Sequence, residues 1–224
     1  MPAEGGSGVP PPAPDTVAVF TGGASVNPAL RADLGEVDYV IAADSGLHAA
    51  QCLGFRTDLL VGDLDSVDPA AIADASFAID RYPREKDHTD IVLALNRARD
   101  LGPRRLIVVS GGGGRLDHAF GNLLVLASAD YAGMQVDAFV GAARLAVIRD
   151  RRDLSGPRGR LISLFAVDGP ARGVTTSGLR YPLSDDVLEP LSSRGVSNEF
   201  LGGPASISLT SGTLLSIEPG EELS

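Results

Sequence analysis

Between residues 16 and 127, short β-branched and aliphatic runs alternate with segments whose apolar positions recur at helical spacing. That alternation constrains the fold more than any other feature of the chain. The strand-type runs are Thr16–Phe20 (TVAVF), Tyr39–Ala43 (YVIAA), Asp58–Val61 (DLLV), a weaker Phe77–Arg81, and Leu106–Val109 (LIVV). A helix is expected from Ser45, with Leu47, Ala50 and Leu53 on its apolar side and Gly54 as its stop. Another runs from His88 to Leu101 on Ile91, Ala94, Leu95 and Ala98. A third follows Gly111–Gly114, with Leu116, Ala119, Phe120, Leu123, Leu124 and Ala127 setting its face. Strands alternating with helices give an α/β layer with a mainly parallel sheet, and ligands of such sheets bind outside the carboxyl ends of the strands. The charged and glycine-rich motifs fall at those ends: Asp44, Gly62–Ser66 and Gly111–Asp117.

From about residue 135 the pattern changes. Short β-type runs recur at Val136–Val140, Ala143–Ile148, Leu161–Val167, Ala171–Thr176, Ser206–Leu209 and Thr213–Ile217, separated by turn chemistry such as Asp168-Gly169-Pro170. This suggests a small antiparallel β-sandwich. The expected organisation is a Pro/Gly-rich disordered tail over 1–15, an α/β domain over 16–142 and a β-sandwich domain over 143–224. The tail has no Lys, Arg or apolar stretch, so it does not read as a signal peptide. No apolar run approaches the ~20 residues that cross a bilayer, which makes the cytoplasm the default location. One cysteine excludes an intramolecular disulfide framework. A net charge of −10 lacks the basic footprint of duplex binding, so a polyanionic ligand would come with metal ions.

Three motifs carry chemistry. In Gly62-Asp63-Leu64-Asp65-Ser66, an extended backbone would point Asp63 and Asp65 the same way, and two such carboxylates suit Mg²⁺. A solvated turn is the plain alternative. Lys86-Asp87-His88-Thr89-Asp90 opens a helix, either as an N-cap at Asp87 with Asp90 three residues on, or as a metal and phosphate anchor. Ser110-Gly111-Gly112-Gly113-Gly114-Arg115-Leu116-Asp117-His118 joins a strand to a helix. Its glycines allow close approach to a phosphate and Arg115 can fork onto phosphate oxygens. It is neither a P-loop nor a dinucleotide fingerprint. His118 reads equally as a ligand or a helix-start hydrogen-bonder. The arginines Arg97, Arg99, Arg104, Arg105, Arg149, Arg151 and Arg152 read as solvated faces.

Taken in order, AADSG (42–46), GDLDS (62–66), DHTD (87–90), GRLD (114–117), GLRYPL (178–183) and the Ser-Asn of GVSNEF (197–198) resemble the thiamine pyrophosphokinase family over residues 16–218. The resemblance implies an α/β catalytic domain followed by a β-sandwich, working as a homodimer. It also implies transfer of a pyrophosphoryl group from ATP to the thiamine hydroxyl, releasing AMP. Mapped by motif, Asp63, Asp65 and Asp90 hold Mg²⁺, with Asp44 and Asp87 nearby, and Arg115 and Asp117 serve the nucleotide. Lys86, Thr89, Gly113, Gly114 and His118 join the substrate site. Ser197 and Asn198 form the thiamine pocket, shared across the dimer. Some members carry an L-L-W run whose ring stacks on thiamine. Here it reads Leu214-Leu215-Ser216 and the chain has no Trp, so an apolar or tyrosine wall including Tyr181 would replace it.

Two rival readings differ in kind. Gly62-Asp63 with Gly121-Asn122 is similar to a two-metal phosphohydrolase pattern, although Leu123-Leu124 stand where a histidine and an acid belong, and the chain has three histidines. The other rival is a silent nucleotide- or thiamine-sensing module on the same fold.

Overall fold

The computed structural model describes residues 13–73, 76–85 and 87–220. Its first half alternates as the sequence pattern requires: β1 (Thr16–Thr21), α1 (Arg31–Leu34), β2 (Tyr39–Ala43), α2 (Gly46–Cys52), β3 (Leu59–Gly62), α3 (Pro69–Ala73), β4 (Ala78–Arg81), α4 (Asp90–Leu101), β5 (Arg105–Ser110), α5 (Leu116–Leu126) and β6 (Gln135–Val140). Eight strands follow: β7 (Ala143–Ile148), β8 (Arg151–Gly156), β9 (Leu161–Ala166), β10 (Ala171–Ser177), β11 (Asp186–Leu188), β12 (Asn198–Glu199), β13 (Gly203–Ser208) and β14 (Leu214–Glu218).

The strands form a ten-stranded sheet, β12-β9-β14-β7-β6-β5-β1-β2-β3-β4, and a four-stranded sheet, β11-β10-β13-β8. From β6 to β4 every pairing is parallel. β1 sits within this array and is buried along its whole length. Val17 and Val19 face a core built with Ile91, Ala94, Leu95 and Ala98 of α4. Ala18 and Phe20 face the opposite core with Leu34, Ala50 and Leu53. This is why TVAVF shows no polar alternation: each side chain is covered, and each aliphatic one contributes roughly 1.5–3 kcal/mol by burial.

The β6–β7 hairpin, where the two domains were expected to meet, does not interrupt the large sheet, because β7, β14 and β9 continue it in antiparallel pairing. The last strand, β14, lies between β7 and β9, with Leu215 in the α/β core and Leu214 in the core shared with the four-stranded sheet. The architecture is therefore mixed α/β, with a separate antiparallel sheet packed on the antiparallel end of a large one.

Several expectations are corrected. The row Leu116, Phe120 and Leu124 on α5 faces outward, with Leu116 84% and Phe120 62% exposed. Helical spacing identifies an apolar stripe but not what covers it. Arg151, exposed as expected, and Arg152, which is not, lie on β8. Arg152 reaches the buried carboxylate of Asp137, which also accepts from Arg105 Nε at 2.9 Å. Arg149 Nη2 donates to the carbonyls of Ala127 and Ser128, just past the end of α5. Of the tail, residues 1–12 lie outside the described residues, whereas Asp15 pairs with Arg104 at 2.8 Å. Among the described residues no helix is long and apolar enough to cross a membrane.

Candidate functional site

The motifs assemble where the strand polarity directs them. A cavity of about 620 Å³ opens at the carboxyl ends of β1, β2, β3 and β5. One wall carries Asp44, Asp63, Asp87 and Asp90, and the other the glycine loop, Arg115, and the His118, Asn122 and Leu123 side of α5. Its size suits a nucleotide-sized ligand.

Asp44 is the pivot of the acidic wall. It follows β2 with φ 45°, a conformation that non-glycine residues adopt rarely. Its Oδ1 accepts the Leu64 N–H at 3.0 Å, tying the end of β2 to the turn after β3. Gly62 makes that contact sterically feasible, since a Cβ there would lie 2.0 Å from the same oxygen. Burial and the nearby Asp90 and Asp63 charges push the Asp44 carboxyl up to about 6 against the lowering effect of the Leu64 N–H, and its side chain hydrogen-bonds Asp90. Crowded carboxylates of this kind favour a cation between them.

The GDLDS turn differs from the extended segment expected of it. Leu64 has φ 66°, so the alternation of an extended strand does not apply to Asp63 and Asp65. Asp63 Oδ1 instead accepts the Asp65 N–H at 3.1 Å. Asp65 does not line the cavity and pairs with Arg84, Nη2 to Oδ2 at 3.6 Å. The side chain that joins Asp63 and Asp90 is thus Asp44, from the end of β2.

Thr89, not Asp87, occupies the N-cap position of helix α4, without a side-chain capping hydrogen bond, which leaves Asp90 as its first residue, where the helix dipole favours a carboxylate. Asp87, His88 and Thr89 line the cavity, and Lys86 lies outside the described residues. In the glycine loop a Cβ on Gly111 would lie 1.6 Å from the Ala24 carbonyl oxygen, and the Ala24 N–H donates to Gly112 O at 2.8 Å. The loops after β1 and β5 are therefore packed backbone to backbone, with Gly113 and Gly114 on the cavity side. Arg115 donates to Asp117 through Nε at 3.1 Å and Nη2 at 2.6 Å, and this pairing holds the Asp117 carboxyl at about 2.

Residues 197–198 are not brought to this cavity; among the described residues its lining ends at Val140. Ser197 has φ 58° and is exposed. Asn198 is buried, and its amide is committed to backbone: Oδ1 accepts from Tyr181 N at 3.0 Å and Glu199 N at 2.9 Å, and Nδ2 donates to Tyr181 O at 2.7 Å. It clamps the loop that presents Tyr181, whose side chain is exposed. Ser216 is buried within β14, its Oγ donating to Ala146 O at 3.2 Å. That position is therefore part of the sheet rather than a ligand wall.

Sequence reasoning also missed Arg84, which lines the cavity. No spacing rule distinguishes it from other exposed arginines.

Comparison with known proteins covers both halves. The family model described as thiamin pyrophosphokinase, catalytic domain, matches residues 31–137. That described as thiamin pyrophosphokinase, vitamin B1 binding domain, matches residues 147–214. A thiamine pyrophosphokinase of Bacillus subtilis (strain 168) is 26% identical over 215 residues, 90% of this chain and 97% of that protein. The crystal structure of thiamine pyrophosphokinase from Bacillus subtilis superposes with a TM-score of 0.80 at 22% identity, covering 92% of this chain and all of that one. That of thiamin pyrophosphokinase from Geobacillus thermodenitrificans gives 0.75 at 25% identity, covering 93% and 99%.

Proposed function

Since the chain belongs to the thiamin pyrophosphokinase family and is an enzyme, a kinase-type transferase, we propose that it transfers a pyrophosphoryl group from ATP to the hydroxyl of thiamine, giving thiamine diphosphate and AMP. The observation that carries this reading is the cavity itself, where an acidic wall of Asp44, Asp63 and Asp90 faces a glycine loop and Arg115.

Mg²⁺ fits the donor set. The acidic wall is all carboxylate oxygen, and among the described residues no three His, Cys, Asp or Glu side chains close into a ready-made cage. Mg²⁺ habitually uses one or two carboxylates and completes its shell with water and substrate phosphates. Asp63 and Asp90 would hold it from the cavity wall, with Asp44 behind them, and Asp65, once clear of Arg84, would join them from the same turn. When bound, the ion neutralises the polyphosphate and draws electron density from the phosphorus under attack.

The chain's own groups do the rest. Arg115 offers a forked guanidinium to phosphate oxygens, and Asp117 aims it. The hydroxyl attacks the β-phosphorus, AMP leaves, and the hydroxyl proton passes to a carboxylate. Held at about 2 by Arg115, Asp117 is a weak acceptor; with Asp90 given to the metal, Asp87 is the carboxylate on the cavity lining placed for that task.

The reading extends to a homodimer. The outward row Leu116, Phe120 and Leu124 of α5 flanks the cavity, while Ser197, Asn198 and Tyr181 lie away from it. A second copy seated on α5 would cover the first set and bring in the second. The phosphohydrolase reading is not favoured: Gly121 and Asn122 lie inside α5 rather than in a loop between metals.

The test is product analysis with ATP, Mg²⁺ and thiamine. Thiamine-dependent AMP formation is expected, abolished by chelation and reduced at least about 10²-fold in Asp63→Asn. Free phosphate without AMP, or turnover indifferent to thiamine, would overturn the reading.

A further inference from the structure

We propose that Arg84 is a polyphosphate-binding residue of this enzyme, kept on Asp65 until nucleotide and metal arrive. The proposal rests on the ATP and Mg²⁺ reading above. Its basis is the charge arrangement around the cavity, whose lining among the described residues carries four carboxylates (Asp44, Asp63, Asp87 and Asp90) and two guanidiniums, Arg84 and Arg115. A triphosphate entering such a site meets repulsion from the acids and needs every cation within reach. In this structure both guanidiniums rest on carboxylates: Arg115 on Asp117, and Arg84 on Asp65.

The two pairs differ in how easily they open. Arg115 and Asp117 are neighbours in sequence joined by two hydrogen bonds at 3.1 and 2.6 Å. Among the described residues Arg84 makes one ion pair, to Asp65 at 3.6 Å, beyond good hydrogen-bond length, between side chains that are 83% and 51% exposed. Exposed pairs of this kind are weak. A divalent cation taking Asp65 would displace Arg84, and the freed guanidinium, already on the cavity wall, would fork onto phosphate oxygens, a stronger charge-assisted contact. Metal capture and phosphate capture are thereby coupled through one side chain.

The coupling predicts two effects of opposite sign. Arg84→Gln removes the competitor for Asp65, so Mn²⁺ alone, followed by electron paramagnetic resonance, should bind about two- to fivefold more tightly. The same variant should bind a non-hydrolysable ATP analogue about tenfold more weakly by calorimetry. Arg84→Lys, which keeps the charge but not the fork, should recover only part of the analogue affinity. Arg81→Gln, at an exposed arginine outside the cavity lining, controls for the general loss of one positive charge and should change either affinity less than twofold. Unchanged analogue affinity in Arg84→Gln, weakened Mn²⁺ binding, or an equal response from Arg81→Gln would overturn the proposal. Asp65→Asn separates the two readings. If it binds Mn²⁺ as the wild type does, the assignment of Asp65 to the metal fails and the exchange with it, while the analogue arm still decides whether Arg84 holds phosphate.

Discussion

Asp44→Asn should stabilise the metal-free protein at neutral pH while destroying its activity. The substitution keeps the shape of the side chain, and its Oδ1 can still accept the Leu64 N–H now bonded at 3.0 Å. It removes the charge that burial, Asp90 and Asp63 all disfavour, which together raise the carboxyl from 3.8 to about 6. In the unfolded chain Asp44 loses its proton near pH 4; in the folded chain it keeps it until about pH 6. The folded state thus binds the extra proton between those values. The corresponding stability is fully present below about pH 4 and is lost as pH rises through 6. The interval corresponds to roughly 3 kcal/mol at most. Because Asp44 is only half-buried, solvent screening reduces this to about 1–1.5 kcal/mol. The advantage of Asp44→Asn over wild type should therefore grow by that amount between pH 4 and pH 7.5, or about 3–5 °C in Tm for a chain of this size. Thermal unfolding of both proteins in chelator across that range measures it. An advantage that stays flat with pH, or a variant less stable than wild type at pH 7.5, would refute the electrostatic account of the acidic wall. Gain of stability with loss of turnover is the pattern expected where function holds like charges together.

Asp137→Ala should cost about 3 kcal/mol in denaturant unfolding, because it leaves the guanidiniums of Arg105 and Arg152 partly buried without their shared carboxylate; a loss under about 0.5 kcal/mol would mean the pairs are incidental. Gly62→Ala should impair activity at least about tenfold, since its Cβ would displace the Asp44 carboxylate; steady-state kinetics near wild type would show that the wall tolerates the shift. Asn198→Ala should raise the thiamine KM about tenfold and leave that for ATP unchanged, by releasing the Tyr181 backbone rather than by losing a ligand contact; an equal rise for ATP would contradict this. Phe120→Glu should shift the protein toward monomer in sedimentation, and an unchanged sedimentation coefficient would place any dimer contact elsewhere on the surface.

How much of this was legible follows from how local each cause is. The parallel array was readable because a strand covered on both faces must be apolar throughout, as TVAVF and LIVV are, and because helix faces and glycine stops are written within a dozen residues. The location of the site was readable too, since strand polarity alone places Asp44, GDLDS and the glycine loop at one edge. What the sequence could not decide were matters that depend on distant residues or on a single backbone angle. The left-handed turn at Leu64 breaks the extended alternation of Asp63 and Asp65 and turns the Leu64 N–H onto Asp44, and no spacing rule encodes that torsion. The family resemblance assigns Asn198 to a ligand pocket by its place in a motif, whereas only the fold shows that the Tyr181 peptide is brought to its amide and uses its donor and acceptor. Arg152 looked solvated because its partner, Asp137, lies 15 residues away on β6. The apolar stripe on α5 was visible in the sequence, but whether a stripe meets the core or faces outward depends on how the helix is set against the sheet, and only the tertiary structure decided it.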